Sequence, residues 1–350
     1  MIPARGRASE SDSGGQIPAT GGATVDLEFE ALGSKIRVLV DPSPEPSVEP
    51  ASEAAERIRA FIEGFDSTLS RFKPDSELSA MNSNPATTVE ASELLRQVVS
   101  AGLAAARTTG GLVDPTLEPE LERAGYVESR AGLKGLPVGQ LLEAGPVPAV
   151  ASSSTSRLYE SFEVDDEAAT ITRPPGVSFD PGGVGKGLAA DMAAGMLGAY
   201  PRFLVSCGGD IRVGGPAAPG DPFDVFAEHP ISGRKPHVFR LGSGGIATSG
   251  IAARSWLDGE GKAAHHLIDP STGEPCRTGL IGATALAPTA LEAEVLAKQA
   301  VLLGPIEGLS LLGPGGGLVV HEDGRVEIAG KARVRFRIPG AAAPAGAEGR

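Results

Sequence analysis

The sequence is poor in cysteine, in aromatic residues and in positive charge, and each shortage excludes a class of protein. Only Cys207 and Cys276 occur among 350 residues, so neither a disulfide framework nor a cysteine metal cluster is expected. The formal net charge of −13 argues against a nucleic-acid partner. Aromatic residues make up 4% of the chain, against 48 glycines and 29 prolines, which predicts many loops and an aliphatic core.

The N-terminal segment contains neither an apolar leader nor a lipidation cysteine, and no later stretch is expected to span a bilayer. We therefore expect a cytoplasmic protein without membrane insertion. Residues 1–24 and 339–350 are rich in small residues and are predicted to be disordered tails. Residues 25–338 are predicted to form one domain, in which the Gly- and Pro-rich stretch 129–156 is an irregular insertion.

Residues 178–191, SFDPGGVGKGLAAD, are the most informative segment of the chain. A glycine-dense turn containing Lys186 opens into an Ala-rich helix. Backbone N–H groups, a helix N-terminus and an ammonium together make a cradle for an anion such as a pyrophosphate. The spacing matches neither a Walker A loop nor GxGxxG, and a purely structural turn is the alternative interpretation.

Strands and helices are mixed without regular βαβ alternation, which favours an α+β fold with mixed or antiparallel sheets over a doubly wound sheet. Apolar residues at helical spacing predict a helix over 51–71. Further helices are predicted from Ser92 to about residue 108, over 186–199 and over 289–303.

Eight blocks in this order resemble the ApbE family, the FAD:protein FMN transferases. They are FEALGS, LSRFKPDSELSAMN, TGGLVDPT, DPGGVGKGLAAD, VSCGGDIRVGG, IATSG, HHLIDPSTGEP and the helix at 289–303. The resemblance covers roughly residues 26–335. It implies an ApbE-like α+β fold, FAD as substrate and Mg²⁺ as cofactor. It also implies transfer of the FMN half of FAD to a Thr or Ser hydroxyl of a partner flavoprotein, with release of AMP.

The resemblance also implies roles for individual residues. Lys186 stands where the family has an FAD-contacting lysine that neutralises pyrophosphate charge. His266 stands where the family has a histidine, which acts either as a general base or as a ligand contact, whereas His265 is expected to be exposed. The other positions implied around FAD, some of which only shape loops or cap helices, are Leu32, Ser76, Asn82, Thr109, Gly111, Asp114, Thr116, Gly183, Asp191, Gly209, Thr248, Ser249 and Gly250.

The implied metal site departs from the family pattern. The carbonyl of Gly185 stands at a position that ligates metal, and Glu294 replaces an aspartate ligand. Lys298 replaces a threonine ligand, and an ammonium cannot ligate Mg²⁺. Metal binding is therefore expected to be weak or absent. Two functions are therefore possible. The first is an active FMN transferase, and the second is a non-catalytic FAD-binding homologue, with an FAD pyrophosphatase as an intermediate case.

Overall fold

A computed structural model describes residues 23–143, 148–215, 222–235 and 237–330. The predicted tails, 1–24 and 339–350, lie outside the described residues except for positions 23 and 24, so their predicted disorder stays a prediction. The predicted insertion at 129–156 is described except for 144–147, and it contains one short helix where only irregular chain was expected.

The helices form where the apolar spacing predicts them. In α1 the buried positions include Ile58, Ile62, Phe65 and Leu69, which lie on one face because they recur every three or four residues. The helices in chain order are α1 (Ala51–Leu69), α2 (Glu77–Ser83), α3 (Glu93–Thr108), α4 (Glu118–Arg123), α5 (Val138–Glu143), α6 (Gly185–Gly195) and α7 (Ala290–Leu312). Two 3₁₀ turns cover Leu158–Ser161 and Pro181–Gly183.

The strands form one large sheet and several small ones, and every described strand pair is antiparallel. In chain order they are β1 (Val25–Ala31), β2 (Ser34–Val40), β3 (Thr88–Glu90), β4 (Glu163–Asp165), β5 (Thr170–Thr172), β6 (Phe203–Cys207), β7 (Asp210–Gly214), β8 (Phe223–Ala227), β9 (His237–Leu241), β10 (Gly244–Gly250), β11 (Ser255–Leu257), β12 (Ala263–His265), β13 (Ile268–Asp269), β14 (Glu274–Pro275), β15 (Leu280–Ala287), β16 (Gly317–His321) and β17 (Val326–Ala329). The large sheet has eight strands in the order β1-β2-β6-β7-β10-β15-β16-β17.

Three helices pack as a layer against this sheet. α1 contacts β1 and β2, α6 contacts β6 and β7, and α7 contacts β10, β15 and β16, while α6 also contacts both α1 and α7. β6 is buried along its whole length because its two faces enter different apolar clusters: Val205 belongs to the cluster that includes α1 and α6, and Leu204 to the cluster that includes β8 and β9. The fold is therefore α+β, as the sequence predicts.

α7 corrects one expectation, because by length and composition it is apolar enough to cross a membrane. Its helical geometry is interrupted at Gly304, with φ 76° and ψ −172°, and Pro305 follows. The predicted helix 289–303 ends at this interruption. Half of the most apolar part of α7 is buried inside the protein, and it carries two buried charged residues, Glu294 and Lys298. These are the features of a core helix.

Candidate active site

A cavity of about 600 Å³ lies where the glycine loop meets several other segments, and its volume is in the range of small-molecule sites. The β1–β2 turn and the end of α1 form one part of its wall. Residues 112–114 and the glycine loop form another. Later segments contribute Arg254, His266 and Lys298 to the lining.

The glycine loop is shaped by its own aspartate. Asp180 accepts a hydrogen bond from the N–H of Gly182 at 2.6 Å, which caps the 3₁₀ turn Pro181–Gly183. α6 begins two residues later at Gly185, which lines the cavity. The first N–H groups of a helix have no carbonyl partner within the helix, so this end of α6 can accept an anion.

Gly187 explains why the loop continues with glycine into the helix. A Cβ atom there would come within 2.6 Å of the Ala290 carbonyl oxygen, so α6 can cross the start of α7 only without a side chain at this position. The N–H of Gly187 donates to Oε2 of Glu294 at 2.8 Å. This contact ties the first turn of α6 to α7.

Two lysines and two carboxylates form an ion cluster beside the loop. Lys186 pairs with Asp210, and its Nζ lies 3.3 Å from Oε1 of Glu294. Lys298 donates to the same Oε1 at 2.7 Å. Both lysines line the cavity, whereas the side chains of Asp210 and Glu294 are 2% and 0% exposed. The two ammoniums therefore face the cavity, and the two carboxylates are buried behind them.

Burial and charge act against each other on the pKa values of this cluster. Burial raises the pKa of Asp210 despite the opposing ammonium of Lys186. Burial also acts to raise the pKa of Glu294, but the two ammoniums outweigh it, so that pKa is lowered. Burial lowers the pKa of Lys298, although Glu294 opposes the shift.

His266 is held as a neutral imidazole. Its Nδ1 lies 3.2 Å from the carbonyl oxygen of Arg254. Because a carbonyl only accepts, Nδ1 carries the proton, and Nε2 is left with a lone pair. Burial, with smaller contributions from Arg254, His265 and Lys298, holds the pKa of His266 well below its usual range.

His265 is buried, which contradicts the expected exposure. The alternation of β12 turns its ring inward, where Nε2 lies 2.9 Å from the Cys276 carbonyl oxygen and Nδ1 accepts from the N–H of Leu267 at 3.3 Å. Burial lowers its pKa to about 4. It is therefore a neutral core histidine.

Arg254 is a cavity residue that the sequence reasoning missed. Its side chain lines the cavity, and its charge acts on the pKa of Lys186 as well as on that of His266. The only sequence signal was its position four residues after the TSG segment. It adds a guanidinium to the part of the lining that holds Lys186, Lys298 and His266.

An aromatic group was also missed, although aromatic residues are scarce. Tyr126 stacks on Trp256 with ring centroids 5.0 Å apart, and Phe72 packs at 5.3 Å on Tyr126. The guanidinium of Arg71 lies 4.4 Å and 4.6 Å from the centroids of Phe72 and Tyr126. Phe72, Tyr126 and Arg71 line the cavity and offer flat surfaces that suit an aromatic ring system.

Leu32 lies in the cavity wall at a strained turn. Leu32 and Gly33 have φ values of 55° and 61°, the conformation of a type I′ turn, which non-glycine residues adopt rarely. The N–H of Leu32 donates to Asp66 at 3.1 Å, and Asp66 also pairs with Lys73. The carboxylate of Asp66, on α1, therefore holds this turn at the cavity wall.

The structure places seven of the eighteen predicted site residues in the cavity lining. Those that line the cavity are Leu32, Asp114, Gly183, Gly185, Lys186, His266 and Lys298. Thr116 lies next to Asp114 and donates to it through both its N–H and its hydroxyl. Burial raises the pKa of Asp114, and these hydrogen bonds oppose that shift.

Other predicted positions support the loops instead of lining the cavity. Ser76 caps α2, and Thr109 caps the end of α3, where Gly111 continues the turn with φ 90°. Asn82 bonds both the N–H and the carbonyl of Phe179, which fixes the segment that leads into the glycine loop. Their contribution to the site is to hold its walls.

The remaining predicted positions also lie away from the cavity lining. Asp191 accepts hydrogen bonds from the N–H groups of Ala290 and Leu291, so it caps α7, one of the two roles that the sequence left open. Gly209 forms the β6–β7 turn with φ 98°. The TSG segment, residues 248–250, lies at the end of β10. The hydroxyl of Thr248 forms a hydrogen bond with the hydroxyl of Thr284.

Comparisons with known proteins agree on one family. The sequence model of the ApbE family matches residues 32–318. The chain is 28% identical over 284 residues to the FAD:protein FMN transferase of Escherichia coli K12, covering 80% of this chain and 78% of that protein. It is 29% identical over 277 residues to the Salmonella typhimurium LT2 protein of the same name, covering 77% and 75%. The crystal structure of the ApbE protein from Thermotoga maritima superposes with a TM-score of 0.71 at 26% identity, covering 88% and 97%.

Proposed function

The chain belongs to the ApbE family, and from that premise we propose that it is an FAD:protein FMN transferase. It would move the FMN half of FAD to a Thr or Ser hydroxyl of a partner flavoprotein and release AMP. The observation that carries the proposal is that one cavity brings together the ammoniums of Lys186 and Lys298, the guanidinium of Arg254 and the neutral imidazole of His266. The curated relatives in Escherichia coli and Salmonella typhimurium have this activity in their names.

The cationic wall suits the pyrophosphate of FAD. Lys186, Lys298 and Arg254 present positive charge, and the first turn of α6 adds N–H groups. Negative charge grows on the departing phosphate as its bond breaks, so preorganised cations lower the barrier as well as binding the ground state.

His266 supplies the base for attack by the acceptor. Its Nε2 takes the proton of the Thr or Ser hydroxyl, and the hydroxyl oxygen forms a bond to the phosphorus of the FMN half. The P–O bond between the two phosphates breaks, and its electron pair leaves on the phosphate of AMP. Atoms and charge balance with the histidine protonated at the end of the step.

The ring systems of FAD would lie against the aromatic group at the cavity wall. Phe72 and Tyr126 line the cavity together with the planar guanidinium of Arg71, which lies over both rings and is held by the carboxylate of Asp180 at 3.2 Å. Stacking on such faces adds affinity beyond the burial of area. The acceptor protein would approach the open side of the same cavity.

The test is incubation of the purified chain with FAD and a flavin-acceptor domain, followed by assays for AMP and for covalent flavin fluorescence on the denatured acceptor. We expect AMP and labelled acceptor in equal amounts. An acceptor whose hydroxyl residue is replaced by valine is the matched control and should stay unlabelled. Release of AMP with free FMN instead would mean that water is the acceptor and that the protein is an FAD pyrophosphatase.

A further inference from the structure

The three positions at which the resemblance implies a Mg²⁺ site do not form one in this structure. Mg²⁺ requires oxygen ligands in near-octahedral geometry. The ammonium of Lys298 offers no lone pair, and it lies 2.7 Å from Oε1 of Glu294. The same oxygen is 3.3 Å from Lys186, and Oε2 is engaged by the N–H of Gly187. Both oxygens of the remaining carboxylate ligand are therefore already used.

The rest of the described chain offers no substitute. Across residues 23–330, apart from the gaps given above, no group of three or more His, Cys, Asp or Glu side chains is arranged to hold a metal ion. The carbonyl of Gly185 alone would leave the ion with water and phosphate ligands. The donor set at this cavity therefore does not fit a resident divalent cation.

We propose that the ammonium of Lys298 takes the place of the metal ion, so that this protein binds the FAD pyrophosphate without a divalent cation. The inference rests on the proposed function and deepens it. Lys298 and Lys186 both contact Oε1 of Glu294, and this shared contact holds both ammoniums at the cavity wall. The ammonium of Lys298 adds one positive charge beside that of Lys186, at the position where the resemblance implies the metal ion.

The position of Lys298 on α7 supports this assignment. Residues four apart lie one above the other on a helix, so Lys298 meets Glu294 one turn earlier without strain. The Lys298 side chain is 10% exposed, and the exposed part faces the cavity. A buried lysine that only neutralised Glu294 would have no need to reach the cavity wall, because Lys186 and the N–H of Gly187 already contact that carboxylate.

The first experiment compares metal-stripped protein in EDTA with protein in excess Mg²⁺. Flavin fluorescence titration should give FAD dissociation constants that agree within about twofold, since no cation would be missing in EDTA. Calorimetric titration of Mg²⁺ into the FAD complex should show no saturable binding beyond that of free FAD. An FAD affinity at least about tenfold higher with Mg²⁺, together with saturable Mg²⁺ binding, would overturn the inference.

Variants locate the effect at Lys298. Lys298→Met in EDTA should weaken FAD binding roughly 10- to 100-fold, the range for loss of a charge-assisted hydrogen bond. Exchange of both positions for the usual ligands, Glu294→Asp with Lys298→Thr, should make FAD binding depend on Mg²⁺. Lys262→Met is the matched control, because Lys262 is 70% exposed, pairs with Glu260 outside the cavity and should leave both results unchanged.

Lys298→Met leaves a buried carboxylate with one partner fewer, so its thermal unfolding is measured alongside. If it does not fold, Glu294→Gln with Lys298→Met removes one charge of each sign and gives the same test. An FAD affinity equal to that of the wild type in either folded variant would overturn the inference.

The outcomes separate this inference from the proposed function. FAD binding that requires Mg²⁺, with transfer in the presence of Mg²⁺, overturns the inference and leaves the transferase standing. Metal-independent FAD binding with no labelling of acceptor under any condition overturns the transferase and leaves the inference standing. A chain that binds no FAD overturns both.

Discussion

Nδ1 of His266 lies 3.2 Å from the carbonyl oxygen of Arg254, and this contact fixes the tautomer of the histidine. The carbonyl holds the Nδ1 proton, so Nε2 is free to accept another. Burial keeps the imidazole neutral, and the guanidinium of the same Arg254 contributes to that shift in pKa. One residue therefore orients the base through its backbone and discourages its protonation through its side chain.

His266→Ala should lower the rate of FMN transfer by roughly 10²–10⁴-fold, the usual contribution of general base catalysis. The affinity for FAD should stay nearly unchanged, because a base acts in the transition state. Single-turnover rates and fluorescence titrations on the same preparation measure the two quantities. Transfer at the wild-type rate would mean that another group takes the proton.

The pH dependence of kcat/KM should reflect the lowered pKa of His266. The base is active when neutral, and its neutral fraction falls as pH drops through its pKa. Since that pKa lies well below 6.5 in the free enzyme, the acidic decline of kcat/KM should begin well below about pH 6.5. Rates measured with overlapping buffers decide this. A decline centred at or above about pH 6.5 would contradict the neutral base.

Lys186→Met should weaken FAD binding by about 1.5–3 kcal/mol, as expected for loss of a charge-assisted hydrogen bond to phosphate. The single variant also leaves Asp210 buried without its partner. Lys186→Met with Asp210→Asn removes both charges and is the matched control for that effect. Fluorescence titration should give the same loss of affinity for both variants. Recovery of wild-type affinity in the double variant would show that Lys186 serves only to neutralise Asp210.

The sequence predicted the fold well because its signals are local. Helical spacing located α1, and the end of the predicted 289–303 helix coincides with the interruption at Gly304. The prediction that His265 is exposed was wrong, because HHLIDP gives no alternation that tells which of His265 and His266 enters the core. α7 was not recognised as long enough to span a membrane because the helix resumes beyond Pro305.

The site was predicted where one segment supplies several features, as the glycine loop does with Gly183, Gly185 and Lys186. It was missed where distant segments converge on it, as with Arg254 and the aromatic group around Tyr126. Spacing along a chain does not show which side chains share a cavity. The family resemblance pointed to His266 where spacing alone could not. The contacts of Lys298 are visible only in the structure.

The buried His265 should make the protein sensitive to acid. The folded-state pKa is about 4, below the ordinary value of 6.5, so between those values the unfolded chain binds more protons than the folded one. The free energy of unfolding should therefore fall as pH drops from about 6.5 to about 4, by up to about 3 kcal/mol from this group. Urea unfolding of the wild type and His265→Gln across this range should show a shallower pH dependence for the variant. Parallel curves would contradict the assignment.

The central claim is that the phosphorus of the FMN half is attacked by a protein hydroxyl. FAD with a radioactive phosphorus next to the riboflavin, and FAD with the label next to adenosine, are each incubated with the chain and an acceptor domain. The account predicts that the first label appears on the denatured acceptor and the second in AMP, in equal amounts. Label from the adenosine side on the acceptor, or no label there from either substrate, would contradict it.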